Sequence, residues 1–323
     1  MTPEISVIVA THNRAALLPQ VLADLARQQT GGEFRFEVVV ADNASTDGTR
    51  AVVERLVAGY PVALTYVYER RQGKAHALNT ALSRTSGEWV AFTDDDVAVE
   101  PTWLQAIWRA AREHGADGIG GPVRPLWVGP RPAWLTDTLL RQLGVVDYGA
   151  AVFQASSRET PFIGPNVAYR RALFLEHGGF EPADPGEDSE WFLRMLRAGC
   201  KLIYQPAAVI MHKIDGRRLT PRALGRRFFR HGRGYGVKLQ QDLTGRRVCR
   251  VPLWVIRLYA ELHVHAARAW LAGDRSGALW HWLRREIYRG VIAQCVADWW
   301  QQVPAPRPKP LIANRTKEQQ SCG

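Results

Sequence analysis

The sequence predicts an α/β fold with a mostly parallel sheet and helices on both faces, followed by a helical subdomain. Strand and helix patterns alternate over the first hundred residues. Residues 120–160, which are rich in glycine, proline and tryptophan, interrupt this alternation, and the pattern is helical from about residue 219 to 300. Strands separated by single helices form parallel sheets covered on both faces.

Four short apolar runs predict the buried strands of this sheet. They are residues 5–10, 37–41, 64–68 and 89–93. The helix after the first strand has one apolar face and Asn13 as a candidate N-cap. The second helix can be capped by residues 45–47, the third covers residues 75–82, and a fourth begins near Pro101, which suits a first turn.

The remaining elements are less regular. Residues 120–160 are predicted to form an irregular lobe over the sheet. We then expect order to resume at residues 163–170, a helix at 188–198, and short strands at 201–204 and 209–212.

Polar side chains follow three of the four predicted strands, at the point where each strand ends. They are Thr11, Asn13, Arg14, Asp42, Asp94, Asp95 and Asp96. Open α/β sheets bind ligands at the carboxyl ends of their strands. The sequence therefore predicts one site at this edge.

The three consecutive aspartates indicate a cation site. Like charges this close are unfavourable unless a cation neutralises them. Carboxylate oxygens favour Mg²⁺ or Mn²⁺, and alternate side chains of a strand share a face, so Asp94 and Asp96 can point together. The alternative is a solvated acidic turn. A buried preceding strand favours the metal site.

Asp42 ends the second predicted strand, where its carboxylate can accept a hydrogen bond from a nucleobase. We favour this base-binding role for Asp42. The nearby Ser45 and Thr49 are interpreted as structural, because such side chains stabilise turns and cap helices.

Glu187, Asp188 and His212 each have two interpretations. Acidic residues in the first turn of a helix complement its dipole. A carboxylate there can instead act as a general base on an acceptor hydroxyl, and the residues alone do not decide. His212 ends an apolar strand, and a lone histidine is more often a packed residue than a ligand.

The net charge of +11 is concentrated in one stretch, residues 216–250, with eleven basic side chains and one acidic side chain. Such a patch predicts an anionic partner: lipid headgroups, a phosphate-bearing substrate or nucleic acid. Residues 216–272 also have an amphipathic pattern, which favours either an anionic membrane surface or packing on the sheet. No nucleic acid is expected, because no recognised binding module is found.

The cysteines and the apolar runs suggest a cytoplasmic protein. The four cysteines are scattered without a CxxC pair, which fits a reducing compartment. The N-terminus begins directly with a strand pattern, so no signal peptide is expected. No apolar run reaches the roughly 18 to 20 residues that a bilayer span needs.

Six strings, taken together and in order, resemble family 2 of the inverting glycosyltransferases, which have the GT-A fold. They are SVIVATHNR at 6–14, DNASTDGT at 42–49, GKAHALN at 73–79, FTDDD at 92–96, GPNVAYR at 164–170 and GEDSE at 186–190. The resemblance spans about residues 4–213. Each string is weak alone, but six in the family order are specific.

The resemblance implies a role for each matching residue. It implies a nucleotide-diphosphate-sugar donor, a Mn²⁺ or Mg²⁺ cofactor and an inverting transfer. Asp188 would be the catalytic base with Glu187 beside it, and Asp96, Asp94 and His212 would hold the metal. The donor would be bound by Thr11, Asn13, Arg14, Asp42, Lys74, Asn79, Asp94, Asp95 and Asn166.

Two departures from the family pattern bear on function. Ala10 replaces a proline that many relatives have, which we expect to be harmless. The C-terminal third lacks the Gln-Gln-x-x-Arg-Trp string and membrane spans of processive relatives. This absence favours a single transfer to an acceptor hydroxyl in polysaccharide, cell-envelope or glycolipid assembly, with a UDP-sugar as the default donor.

We predict a GT-A catalytic domain at residues 1–215, with a donor half at 1–100 and an acceptor half at 101–215. A basic helical subdomain at 216–302 and a flexible tail at 303–323 would follow. Two other functions compete. A nucleotidyltransferase would carry a glycine-rich basic loop after the first strand, which is missing here. An inactive sugar-nucleotide-binding or membrane-scaffold protein would not need the carboxylates at 94–96 and 187–188, which are all present here.

Overall fold

The computed structural model describes residues 2–182, 186–241 and 245–302. In chain order its elements are β1 (Ile5–Thr11), α1 (Leu18–Ala26), β2 (Phe36–Asn43), α2 (Thr49–Val57), β3 (Leu64–Glu69), α3 (Lys74–Leu82), β4 (Trp89–Asp94), β5 (Val97–Val99), α4 (Trp103–His114), β6 (Gly118–Gly120), β7 (Val123–Val128), α5 (Asp137–Leu140), β8 (Phe153–Gln154), β9 (Val167–Arg170), α6 (Arg171–His177), α7 (Glu187–Arg197), β10 (Leu202–Tyr204), β11 (Ile210–Asp215), α8 (Pro221–Gln241), β12 (Arg247–Val248), β13 (Val251–Pro252), α9 (Leu253–Leu271) and α10 (Arg275–Gln302).

The main sheet has eight strands in the order β3-β2-β1-β4-β9-β6-β10-β8. The first four strands are parallel, β9 runs antiparallel to both of its neighbours, and β10 is parallel to β6. The strand order reverses at β1, which lies between β2 and β4. A crevice opens beyond the carboxyl ends of strands at such a reversal.

Both faces of the sheet are buried, as the predicted fold class requires. Ile5, Val7 and Val9 of β1 pack into one apolar cluster with α1 and α4. Ile8 and Ala10 point the other way, into a second cluster with α3, α6 and α7. Successive side chains of a strand alternate between faces, so one apolar run supplies both cores. The predicted α/β class is confirmed.

The stretch predicted to be an irregular lobe contains a strand that the sequence analysis missed. β7 pairs in parallel with β11, and β11 pairs antiparallel with β5. β7 lies at the edge of this second sheet. Proline has no backbone N–H to donate to a neighbouring strand. Pro125 is tolerated in β7 because the outer side of an edge strand needs no such donor.

Asn13 does not cap the first helix. α1 starts at Leu18 with a proline in its first turn, and its N-cap is Leu17. Asn13 instead adopts a left-handed backbone with φ of 53°. Its side-chain oxygen accepts the backbone N–H of Thr46 at 2.8 Å, and its own N–H donates to the Ser45 hydroxyl. Asn13 thus ties the loop after β1 to the loop after β2.

The C-terminal third is built on the pair of helices α8 and α10, with α9 packed against α10. Glycines allow α8 and α10 to touch closely: a side chain at Gly232 would overlap the Ile287 carbonyl oxygen, and one at Gly290 would overlap that of Phe229. Leu224 and Phe228 of α8 pack with α5 and β11 in a third apolar cluster.

The predicted basic subdomain contains a short β12–β13 hairpin in addition to its helices. Within the described part of the chain, no helix combines the length and the apolar character needed to cross a bilayer. The predicted tail, 303–323, lies outside the described residues, and the division at residue 215 stays a prediction.

Candidate active site

The carboxyl ends of β1, β2 and β4 meet at the strand-order reversal. Parallel register places Thr11 opposite Asp42, and Ala10 opposite Asp94. A cleft of about 280 Å³ opens at this edge. Six residues predicted for the site line it: Thr11, Arg14, Lys74, Asp94, Asp95 and Asp96.

Lys74 and Asp94 form an ion pair across the floor of the cleft, with Lys74 Nζ 2.5 Å from Asp94 Oδ1. Lys74 is the first residue of α3 and follows Gly73, whose φ of 124° turns the chain into the helix. Burial works to lower the pKa of Lys74, but the charges of Asp94 and Glu187 outweigh it and raise this pKa above its ordinary value. Lys74 is therefore a cation between carboxylates from two parts of the chain.

The side chain of Asp95 is largely buried at the edge of the cleft. It is 6% exposed, and the Thr11 hydroxyl donates to its Oδ2 at 2.6 Å. Burial raises the pKa of Asp95 to about 6, although the Thr11 hydrogen bond acts in the opposite direction. Asp95 and Thr11 therefore bind each other and join β1 to the end of β4.

Asp96 lies beside His212, with His212 Nε2 3.6 Å from Asp96 Oδ1. The antiparallel pairing of β11 with β5 places His212 opposite Val97, and the Lys213 N–H donates to the Asp96 carbonyl. Burial works to raise the pKa of Asp96, but the neighbouring His212 and the charges of Arg14 and Lys74 outweigh it, so this pKa lies below its ordinary value.

Asp96 and His212 fit one side of a Mg²⁺ or Mn²⁺ site. Across the described ranges of the chain, no three His, Cys, Asp or Glu side chains are grouped to hold a metal ion. Mg²⁺ is commonly bound by one or two carboxylates together with substrate phosphates and waters, so a complete protein cage is not required. The Nδ1 atom of His212 is buried without a hydrogen-bond partner.

Asp188 and Glu187 begin α7 on the other side of Lys74. Asp188 Oδ2 accepts the Gly164 N–H at 2.8 Å, and Oδ1 accepts the Ser189 N–H at 2.7 Å. Burial raises the pKa of Glu187, while Lys74 acts to lower it. A separate small pocket is lined by Lys74, Asp94, Glu187 and Asp188 together. The two predicted carboxylate sets therefore converge on Lys74.

Three predicted donor-binding residues are engaged by the protein itself. Asp42 is 1% exposed and accepts hydrogen bonds from the Ser45 N–H and the Tyr66 hydroxyl. Asn79 bonds both backbone groups of Phe180. Asn166 donates to two backbone carbonyls and accepts the indole N–H of Trp103. None of the three is a lining residue of the 280 Å³ cleft, and their donor-binding roles stay predictions.

The sequence analysis singled out neither His12 nor Asn43, which both line the cleft. His12 Nδ1 lies 2.6 Å from the Asn43 carbonyl, and the Asn43 side chain accepts the Gly73 N–H. Both residues belong to strings quoted above. Asn43 is the last residue of β2 and His12 directly follows β1, and this position at the strand ends is the signal that could have identified them.

A family model described as "Glycosyl transferase family 2" matches residues 6–178. Among curated proteins, the chain is 28% identical to the succinoglycan biosynthesis protein ExoM of Rhizobium meliloti, over 76% of this chain and 78% of that protein. It is 26% identical to the glycosyltransferase AglE of Haloferax volcanii, over 79% and 80%.

Solved structures with the same fold include the mannosyltransferase PcManGT of Pyrobaculum calidifontis in complex with GDP-Man and Mn²⁺. The TM-score is 0.62 at 25% identity, covering 94% of this chain and 88% of that one. S. aureus TarS 1-349 in complex with UDP-GlcNAc aligns with a TM-score of 0.54 at 18% identity, covering 90% and 92%.

Proposed function

The chain belongs to glycosyl transferase family 2 and is a glycosyltransferase, and we propose that it moves a sugar, with inversion, from a nucleotide diphosphate donor to an acceptor hydroxyl. The acceptor would be a carbohydrate or a lipid-linked carbohydrate in polysaccharide, cell-envelope or glycolipid assembly. The named function of ExoM, succinoglycan biosynthesis, supports a polysaccharide setting.

One observation carries the proposal. Carboxylates from β4 and from α7 converge on the Lys74 ammonium group, while Asp96, which also lines the cleft, faces His212. The first group provides a base beside the position of a sugar. The second provides ligands at the position of a diphosphate.

Asp96 and His212, with Asp94 nearby, would hold Mn²⁺ or Mg²⁺. When bound, such an ion offsets the negative charge that develops on the departing diphosphate. Asp95 is held by Thr11 and is expected to fix the backbone of the acidic turn.

Asp188 is the proposed general base. Its carboxylate is fixed by two backbone N–H groups; Oδ1 also accepts the Ser189 hydroxyl, and Oδ2 keeps capacity to accept one more hydrogen bond. It would remove the proton of the acceptor hydroxyl as that oxygen attacks the anomeric carbon from the face opposite the diphosphate. Glu187, whose pKa is raised by burial, and Lys74 would set the charge around this carboxylate.

The donor is proposed to be a UDP-sugar, with Arg14, Asn13 and Asp42 on the nucleotide side. Titration of UDP- and GDP-sugars into the wild type and Asp96→Ala, with and without Mn²⁺, tests the proposal. We expect metal-dependent binding and slow hydrolysis of one donor, both lost in the variant. If no donor binds under any condition, the proposal fails and the membrane-scaffold alternative gains support; donor binding without hydrolysis or transfer would instead support an inactive sugar-nucleotide-binding protein.

The outward face of α9 supports a peripheral location on an anionic, cytoplasmic membrane surface. Leu253, Ile256, Val264 and Leu271 recur at helical spacing and are all exposed, Leu271 by 76%. Exposed tryptophans lie near both ends of α9, and the basic stretch 216–250 precedes it. An interfacial helix combines such an apolar face with nearby cations.

Sedimentation with vesicles tests this location. We expect the wild type to bind phosphatidylglycerol vesicles better than phosphatidylcholine vesicles, and Leu271→Glu to reduce this binding. Leu175→Glu is the matched control, because Leu175 is 75% exposed on the catalytic part of the chain. Equal binding by both variants would argue against a role for α9.

A further inference from the structure

A second cavity, of about 400 Å³, lies beside the donor cleft, between the end of β11 and α8. Arg14 and Asp96 line both spaces. The second cavity is lined in addition by His212, Lys213 and Arg227. It therefore extends the site from the acidic turn of the sheet to the C-terminal helices.

Arg227 reaches this cavity from α8. It lies on the side of the helix that carries the buried residues Leu224 and Phe228, so it faces the catalytic part of the chain. Burial and the neighbouring charge of Arg230 lower the pKa of Arg227, and Asp96 acts in the opposite direction. No acceptor within the described residues hydrogen-bonds its guanidinium.

Arg14 approaches the same point from the loop after β1. Its backbone N–H donates to the Thr49 hydroxyl and its carbonyl accepts the N–H groups of Leu17 and Leu18, whereas its guanidinium has no hydrogen-bond acceptor among the described residues. Its positive charge acts on both Asp95 and Asp96. Two guanidinium groups without acceptors among the described residues thus flank Asp96, while the other carboxylate of the cavity, Asp215, is paired with Arg217. The Arg14 side chain is exposed, but Arg227 is partly buried, and a partly buried charge is unfavourable unless it is paired, so the arrangement favours a bound anion beside Arg227.

We propose that Arg227, together with Arg14, binds a phosphate group of the donor diphosphate. The inference rests on the proposed function and adds a residue from the helical part of the chain to its donor site. A guanidinium matches phosphate geometry with two parallel N–H donors, which a surface lysine does not.

The position of the cavity favours the donor diphosphate over a phosphate on the acceptor. Inversion requires the acceptor to attack from the face opposite the leaving group. Asp188 and Glu187 do not line this cavity; they line the pocket on the far side of Lys74. The Arg227 side of Asp96 is therefore the side toward which the diphosphate leaves.

Calorimetric titration of UDP, GDP and the matching monophosphates into the full chain with Mn²⁺ tests this proposal. Arg227→Ala should weaken nucleoside diphosphate binding by about tenfold or more, the loss of one charge-assisted hydrogen bond. Monophosphate binding should change less, and Arg227→Lys should recover part of the loss. Arg226→Ala, an exposed neighbour on the same helix, is the control and should bind as the wild type does.

The outcomes separate the two proposals. If the wild type binds no nucleoside diphosphate, the proposed function fails. If the wild type binds and Arg227→Ala binds equally well, the role of Arg227 is wrong. Unchanged diphosphate affinity with a raised KM for a phosphate-bearing acceptor would assign the cavity to the acceptor and overturn the donor assignment. An unchanged melting temperature of Arg227→Ala excludes loss of fold as the cause, and partial recovery in Arg227→Lys checks this independently.

Discussion

Replacing Asp188 by asparagine separates the proposed base from its structural role. The carboxylate accepts two backbone hydrogen bonds, from Gly164 at 2.8 Å and from Ser189 at 2.7 Å. An amide has the same shape, but only its oxygen accepts. Asp188→Asn therefore keeps one of these bonds and places an NH₂ group against the other N–H.

The two effects of this change differ in size. Loss of a hydrogen bond to a charged group costs about 1.5–3 kcal/mol, which would lower the free energy of unfolding. Loss of a general base reduces turnover by about 10²- to 10⁴-fold, or roughly 3–5 kcal/mol of transition-state stabilisation. We therefore expect a folded protein with normal donor affinity and very low kcat.

The assay is transfer to an acceptor under saturating donor, with donor binding and thermal unfolding measured in parallel. Glu190→Gln is the control, since Glu190 also lies in the first turn of α7 but pairs with Arg194 at 2.9 Å. It should retain kcat. An Asp188→Asn enzyme that keeps more than about a tenth of wild-type turnover would refute the assignment of the base.

Three further changes test other parts of the structure. Asp96→Ala should abolish the Mn²⁺ dependence of nucleotide binding, and metal-independent binding in the wild type would contradict this. The hydrogen bonds of Arg71 hold the pKa of Glu69 well below its ordinary 4.5, so this carboxylate stabilises the fold above that pH and the benefit is lost as pH falls. Glu69→Gln should accordingly lower the melting temperature at pH 7 and differ less from the wild type in increasingly acidic buffer; a constant difference would argue against the pair. Gly232→Ala should lower the free energy of unfolding by about 1–3 kcal/mol in urea, because its methyl group overlaps α10, whereas Gly59→Ala meets no neighbour and serves as control.

The core strands were predictable because their signal is local. The predicted runs 5–10 and 64–68 match Ile5–Thr11 and Leu64–Glu69 to within a residue at each end. Apolar β-branched residues bounded by polar turns are sufficient for such strands. Once the strands are parallel, their carboxyl ends must meet, so the proximity of Thr11, Asp42 and Asp94 followed without any long-range information.

Other features depend on contacts that a local pattern does not contain. β7 exists because β11, more than eighty residues away, pairs with it. His212 is brought to Asp96 by the pairing of β11 with β5. Among the many arginines of α8, the inward position of Arg227 follows from its spacing from Leu224, which is informative only once that side of the helix is known to be buried.

The glycine contact between α8 and α10 determines where this sequence is free to vary. At Gly232 and Gly290 the smallest replacement already collides with a backbone carbonyl, so substitution there is expected to lower the free energy of unfolding. Val264 and Leu271 on the outer face of α9 are exposed, so changes there leave the core intact. We therefore expect related sequences to vary at the exposed positions of α9 and to keep glycine where α8 and α10 cross.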